Sequence, residues 1–172
     1  MMLRLLLRAL FHRPVTIPPP APGAAALEEL GRRFEGAARA RLGRSLAIRA
    51  VDAGSCNGCE LEIHALHNAY YDLERFGIRF VASPRHADAL LITGPVTTNM
   101  REAVKRTFEA TPDPKWVIAA GDCAIDGGVF AGGYAIAGGA DAVVPVDLRL
   151  PGCPPSPEKL LEGLLALLER TR

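Results

Sequence analysis

Two short runs, Ala89-Leu90-Leu91-Ile92-Thr93 and Trp116-Val117-Ile118-Ala119-Ala120, are apolar at nearly every residue. Successive side chains of a strand point to opposite faces of its sheet, so a strand that is apolar throughout must be covered on both faces. Strands of that kind belong to parallel sheets flanked by helices, which restricts the fold more than any other feature of this chain. The surrounding pattern agrees. Residues 46–51, 79–82 and 142–146 read as further strands. Residues 24–43, 58–68, 101–109 and 156–168 read as helices. The first is stopped by Gly43, and the last is opened by Ser156 with Pro157 at its first helical position. The expected fold is α/β, an open parallel sheet with helices on both faces.

Four cysteines fall just beyond the carboxyl ends of these strands. Cys56 and Cys59 follow the first strand and the turn Ala53-Gly54-Ser55. Cys123 follows 116–120, and Cys153 follows 142–146 and the turn Leu150-Pro151-Gly152. In an open parallel sheet the carboxyl ends lie along one rim, where ligand crevices form. Cysteines far apart in sequence are therefore expected to converge there. Thiolates suit soft and borderline metals, and four complete the coordination of a [4Fe–4S] cube or of one zinc ion. One close pair followed by two distant single cysteines favours the cube, because structural zinc sites usually offer two tight pairs. Zinc stays open as a second reading. So do a thioredoxin-like redox pair in Cys56-Asn57-Gly58-Cys59 and four ordinary buried thiols.

The chain has 172 residues, enough for one domain that needs no staples. Its formal charge of +1 gives no net attraction to nucleic acid. Four cysteines in a chain this size make no disulfide framework. The opening segment lacks a clean secretory signal, and Arg32-Arg33-Phe34 is followed by residues too charged for a twin-arginine leader. A reducing, cytoplasmic setting is expected. Residues 1–12 read as a short basic amphipathic helix, too short to span a bilayer, that lies on a membrane surface, in a partner's groove or on its own domain. Pro14, Pro18, Pro19, Pro20 and Pro22 make the next stretch an extended spacer. The expected division is 1–23 as this leading segment and linker, and 24–172 as a single domain.

Five motifs in fixed order carry a resemblance over about residues 45–168. They are Ser55-Cys56-Asn57-Gly58-Cys59-Glu60-Leu61-Glu62, Arg85-His86-Ala87-Asp88, Thr93-Gly94-Pro95-Val96-Thr97, Gly121-Asp122-Cys123 and Pro151-Gly152-Cys153-Pro154-Pro155. The chain resembles the family shared by the 20-kDa (B-type) subunit of NADH:quinone oxidoreductase (complex I) and the small subunits of [NiFe] hydrogenases. B-type subunits usually carry two adjacent cysteines at the first position. Here Asn57 and Gly58 separate them, as in hydrogenase small subunits, and the whole is most similar to those of the formate hydrogenlyase type. The resemblance implies a flavodoxin-like fold and one [4Fe–4S] cluster on Cys56, Cys59, Cys123 and Cys153. It also implies a large catalytic hydrogenase-like subunit as neighbour, membrane-arm subunits, and a peripheral position on the cytoplasmic side of a membrane. With only four cysteines there is no second cluster, so electrons must come from a ferredoxin-like iron–sulfur subunit.

The implied role is electron relay toward a nickel–iron site or, in the respiratory alternative, toward quinone. A zinc-stabilised interaction module is the third reading. No nucleophile or general-base constellation is present, so catalysis belongs to an oxidoreductase assembly. Glu62 matches an acidic position of the respiratory branch and is the expected proton-coupled group. Asp122 is expected to cap its loop or meet a partner, and Gly54, Gly121 and Gly152 to permit tight turns. His64 and His86 are left outside the site.

Overall fold

The computed structural model describes residues 24–170, so the expected amphipathic helix over 1–12 and the proline-rich linker lie outside the described residues. Five parallel strands form the sheet: β1 (Leu46–Asp52), β2 (Ile78–Phe80), β3 (Ala89–Thr93), β5 (Trp116–Ala120) and β7 (Leu148–Leu150). Their spatial order is β2-β1-β3-β5-β7, the flavodoxin-like doubly wound arrangement. Two further strands, β4 (Val96–Thr97) and β6 (Ile136–Gly138), pair antiparallel as a small separate ribbon.

Side-chain alternation divides the interior into two layers. Leu46 and Ile48 of β1, Ala89 and Leu91 of β3, and Trp116 and Ile118 of β5 face one layer. The helices α1 (Ala24–Leu42), α2 (Gly58–Ala65) and α5 (Pro157–Glu169) cover it. Leu90, Ile92, Val117 and Ala119 face the other layer, under α3 (Arg101–Ala110) and α4 (Asp122–Asp126). The sheet is thus covered on both faces, as its solidly apolar strands require.

The leading helix belongs to the same core. Leu27, Phe34 and Ala38 of α1 are buried against the sheet and α5, while its charged residues pair outward, Glu35 with Arg39 at 3.0 Å. Gly43, at φ +66°, ends it. Arg41 donates to the Leu168 carbonyl at the carboxyl end of α5 and lies 5.3 Å over the Trp116 ring. A cation is favourable at that end of a helix. Ser156 caps α5, accepting from the Lys159 amide. Leu160, Leu161, Leu164, Leu165, Leu167 and Leu168 then turn inward, each contributing about 1.5–3 kcal/mol by burial.

One expected strand is wrong. Residues 142–146 form no strand; Val144 turns into the layer beneath α4 and Pro145 offers no amide to a ladder. The fifth strand begins later, at Leu148. Asp147 starts it by exchanging bonds with Val117: its amide donates to the Val117 carbonyl, and its carboxylate accepts from the Val117 amide, both at 2.9 Å. The second strand starts at Ile78, one residue earlier than expected, and α2 stops at Ala65 rather than running to 68.

Candidate metal centre

All four cysteines lie beyond the carboxyl ends of parallel neighbours. Cys56 is in the loop after β1, Cys59 in the first turn of α2, Cys123 in α4 directly after β5, and Cys153 in the loop after β7. All are free thiols; Cys56 and Cys153 are exposed, Cys59 is half-buried and Cys123 is buried. The structure brings the four within reach of one another's charge. Burial, then the Glu60 carboxylate, then Cys123, Cys56 and Cys153 push the Cys59 thiol up to about 11. Burial followed by Cys153 and Cys56 also raises Cys123, against a bond from the Val129 amide.

The loops are fastened to each other. The Gly121 amide donates to the Leu150 carbonyl at 2.8 Å and the Asp122 amide to the Gly152 carbonyl at 2.9 Å. In return the Gly152 amide donates to the Asp122 carboxylate at 2.8 Å. Asp122 is therefore the cap that joins the Cys123 loop to the Cys153 loop. Backbone room is also fixed here. Gly121 has φ +90° and ψ 154°, a conformation essentially reserved to glycine. A Cβ on it would stand 2.6 Å from Cys59 Sγ and 3.4 Å from the Gly152 carbonyl oxygen. A Cβ on Gly128 would stand 2.9 Å from Cys123 Sγ.

Cys123 and Cys153 open together on a hollow of about 430 Å³ that Asp122, Asp126, Gly128, Val129 and Ala131 complete. Beside it the segment after α4 exposes Val129, Phe130 and Tyr134, and α2 exposes Leu61 next to Cys59. Among the described residues no three His, Cys, Asp or Glu side chains close on a point the size of one metal ion. Four thiols from three strand ends make the donor set that an iron–sulfur cube takes, and Gly121 and Gly128 give Cys59 and Cys123 backbone room.

Of the other residues singled out, Glu62 lies half-buried on α2, and its charge is felt by the Tyr71 hydroxyl. His64 is exposed on α2, and His86 is exposed at the amino end of β3, on the opposite side of the sheet from the cysteines. Sequence reasoning missed two groups. The Tyr71 hydroxyl donates to Glu158 at 2.6 Å, joining the segment after α2 to the first turn of α5. Ser55 donates to Glu60 at 2.7 Å. A Ser and a Glu flanking the cysteine pair were the only signal for the second; nothing in the sequence paired Tyr71 with a residue so distant.

Comparison with known proteins bears on the same stretch. The family of the NADH ubiquinone oxidoreductase 20-kDa subunit matches residues 56–167, which contain all four cysteines. The chain is 50% identical over 129 residues to a probable membrane-bound hydrogenase subunit of Pyrococcus furiosus, covering 75% of this chain and 77% of that one. It is 49% identical over 133 residues to formate hydrogenlyase subunit 7 of Escherichia coli, 76% of this chain but only about half (52%) of the relative. Among solved structures it is similar to a chain of the membrane-bound sulfane sulfur reductase, an archaeal respiratory membrane complex. That likeness has a TM-score of 0.65 and 40% identity, over 79% of this chain and 73% of the other. By motif order, fold and shared sequence, the chain belongs to the family of the 20-kDa subunit of NADH:ubiquinone oxidoreductase and is a subunit of the oxidoreductase-complex type.

Proposed function

We propose that the chain is the electron-transfer subunit of a membrane-bound [NiFe] hydrogenase complex, with one [4Fe–4S] cluster held by Cys56, Cys59, Cys123 and Cys153. It relays electrons between a ferredoxin-like iron–sulfur subunit and the large catalytic subunit. The observation that carries this reading is the meeting of thiols from three strand ends at one rim, with Cys56, Cys123 and Cys153 near enough to Cys59 to disfavour its thiolate. When bound, the cluster supplies reversible uptake of one electron at a time, at a potential its protein surroundings set.

The chain's own residues supply position and exclusion. Asp122 locks two of the ligand loops together, and Gly121 and Gly128 leave the sulfurs room. Cys59, raised to about 11, is protonated near neutrality, so loading the site must remove that proton. Val129, Phe130 and Tyr134 form an apolar border beside the hollow. Exposed aromatic and aliphatic side chains around a site mark a surface that a partner covers, and the large subunit is the partner that places its own centre close to the cluster. Among the described residues no helix is long and apolar enough to cross a membrane; a peripheral place on the cytoplasmic side, bound to membrane-arm subunits, accords with this.

The separation of the first two cysteines by Asn57 and Gly58 favours the hydrogenase reading, as do the names of the two relatives. The family's own name supports the second reading, a B-type subunit that passes electrons to quinone. Zinc is disfavoured because structural zinc sites usually offer two tight cysteine pairs, whereas here one pair is followed by two single, distant cysteines. Purifying the complex anaerobically and exposing it to hydrogen separates the two redox readings. The hydrogenase reading expects nickel in the large subunit and a reduced-cluster resonance that appears under hydrogen. Reduction by quinol alone, in a complex without nickel, would replace it with the quinone reading.

A further inference from the structure

Helix α2 opens on both cysteines of the first pair, yet it has no ordinary cap. Its N-cap residue, Asn57, is left-handed at φ +71° and its side chain makes no capping bond. In a capping box the third residue of the helix reaches back to the N-cap amide. Glu60 is that third residue, but it does not touch the amide. The Asn57 amide donates to Ser55 Oγ at 3.0 Å, and Ser55 Oγ donates to Glu60 Oε2 at 2.7 Å. The box is closed through a hydroxyl. Cys56 lies inside the closed loop, between Ser55 and Asn57, and Cys59 immediately precedes Glu60.

The loop is held from its other end too. Asp52 Oδ1 accepts the Gly54 and Ser55 amides, both at 2.8 Å. Ser55 is thus fixed through its amide by β1 and through its hydroxyl by α2. The second oxygen of Glu60, Oε1, is buried without a hydrogen-bond partner, and it is the one such side-chain atom among the described residues. A buried acceptor left unmade costs stability, so a carboxylate kept in that state needs a reason. Its other oxygen, Oε2, takes the Ser55 hydroxyl, so the carboxylate is held in this half-satisfied place by the loop that carries Cys56.

We propose that Glu60 is a positioning residue for the cluster, acting through Ser55 to hold Cys56 and Cys59 at the spacing the cluster requires. This rests on the cluster reading above. The charge of Glu60 is also felt by Cys59, but its positioning effect runs through Ser55, so that effect should vanish when the hydroxyl is removed, and an acceptor that keeps the bond without the carboxylate should replace it.

The test uses the full chain, reconstituted anaerobically with iron and sulfide, and the variants Ser55→Ala, Glu60→Ala, Glu60→Gln and the double alanine variant. The readouts are the rate of cluster loss to a chelator and the shape of the reduced resonance; circular dichroism reports whether each variant is folded. Ser55→Ala and Glu60→Ala should each lose cluster about three- to tenfold faster, the range one hydrogen bond supplies, and show a broadened resonance. The double variant should be no worse than either single one, since both break the same relay. Glu60→Gln should stay near wild type. Single variants that keep the wild-type rate and resonance, or losses that multiply in the double variant, would overturn the inference while the wild-type cluster still supports the function. A wild-type chain that takes up no iron–sulfur cluster would end both.

Discussion

A methyl group at residue 121 would stand 2.6 Å from Cys59 Sγ, on a backbone at φ +90° that other residues avoid. Gly121→Ala therefore carries two penalties, about 1–3 kcal/mol of backbone strain and displacement of one proposed ligand. The expected outcome is a folded chain with a lower unfolding midpoint in urea and less iron per chain. Full iron content would show that the site accommodates the methyl group without losing its metal. Cys123→Ser separates the ligand from the fold more cleanly, because a hydroxyl occupies nearly the space of the thiol. Iron content should fall sharply while circular dichroism is unchanged; wild-type iron would remove Cys123 from the set. The residue scale is also where the sequence was most legible. The four cysteines and the glycines beside them stand in short local motifs, and a turn after a strand is local chemistry. Glu60 and Ser55 were harder to read, because their roles depend on which way two side chains face across a loop.

Between elements, the bond from Tyr71 to Glu158 joins the segment after α2 to the start of α5, and so ties the chain beyond Cys59 to the helix beyond Cys153. Burial acts to raise Glu158, but the bonds from the Tyr71 hydroxyl, from its own amide and from Ser156 outweigh it and hold the carboxyl below the ordinary value of 4.5. A carboxylate lowered in this way stabilises the fold above its unfolded value, and the stabilisation is lost as pH falls through the folded one. Tyr71→Phe should cost about 1 kcal/mol in urea unfolding at pH 7, and the difference from wild type should shrink at pH 3. An equal difference at both values would mean that the tyrosine acts by packing alone. Strands β3 and β5 were legible because their burial is written in every residue. The run at 142–146 misled because apolar residues also fill the layer beneath α4, and burial there does not require a strand. The true edge strand, Leu148–Leu150, alternates over only three residues and is set by Asp147 bonding to Val117. That pairing spans 30 residues and leaves no local mark.

At the scale of the molecule the two ends of the sheet differ. At the amino ends, Arg44 pairs with the buried Asp88 at 2.6 and 2.8 Å, and Asp88 also accepts the Ala47 amide, a purely structural knot. At the carboxyl ends lie the thiols, the hollow and the exposed Val129, Phe130 and Tyr134. If that border docks the large subunit, Val129→Asp should leave the isolated chain folded and weaken capture of the partner by about tenfold or more, the effect of a moderate interface residue. Unchanged capture would put the docking surface elsewhere. Family membership and fold fix the kind of subunit; the proposed cluster is what would give it its electron-transfer role. Its most direct test is Mössbauer spectroscopy on the full chain purified anaerobically from iron-57 medium, with metal analysis on the same sample. One four-iron cube per chain, made paramagnetic by one electron from dithionite, is the predicted result. Stoichiometric zinc with no iron would contradict the account.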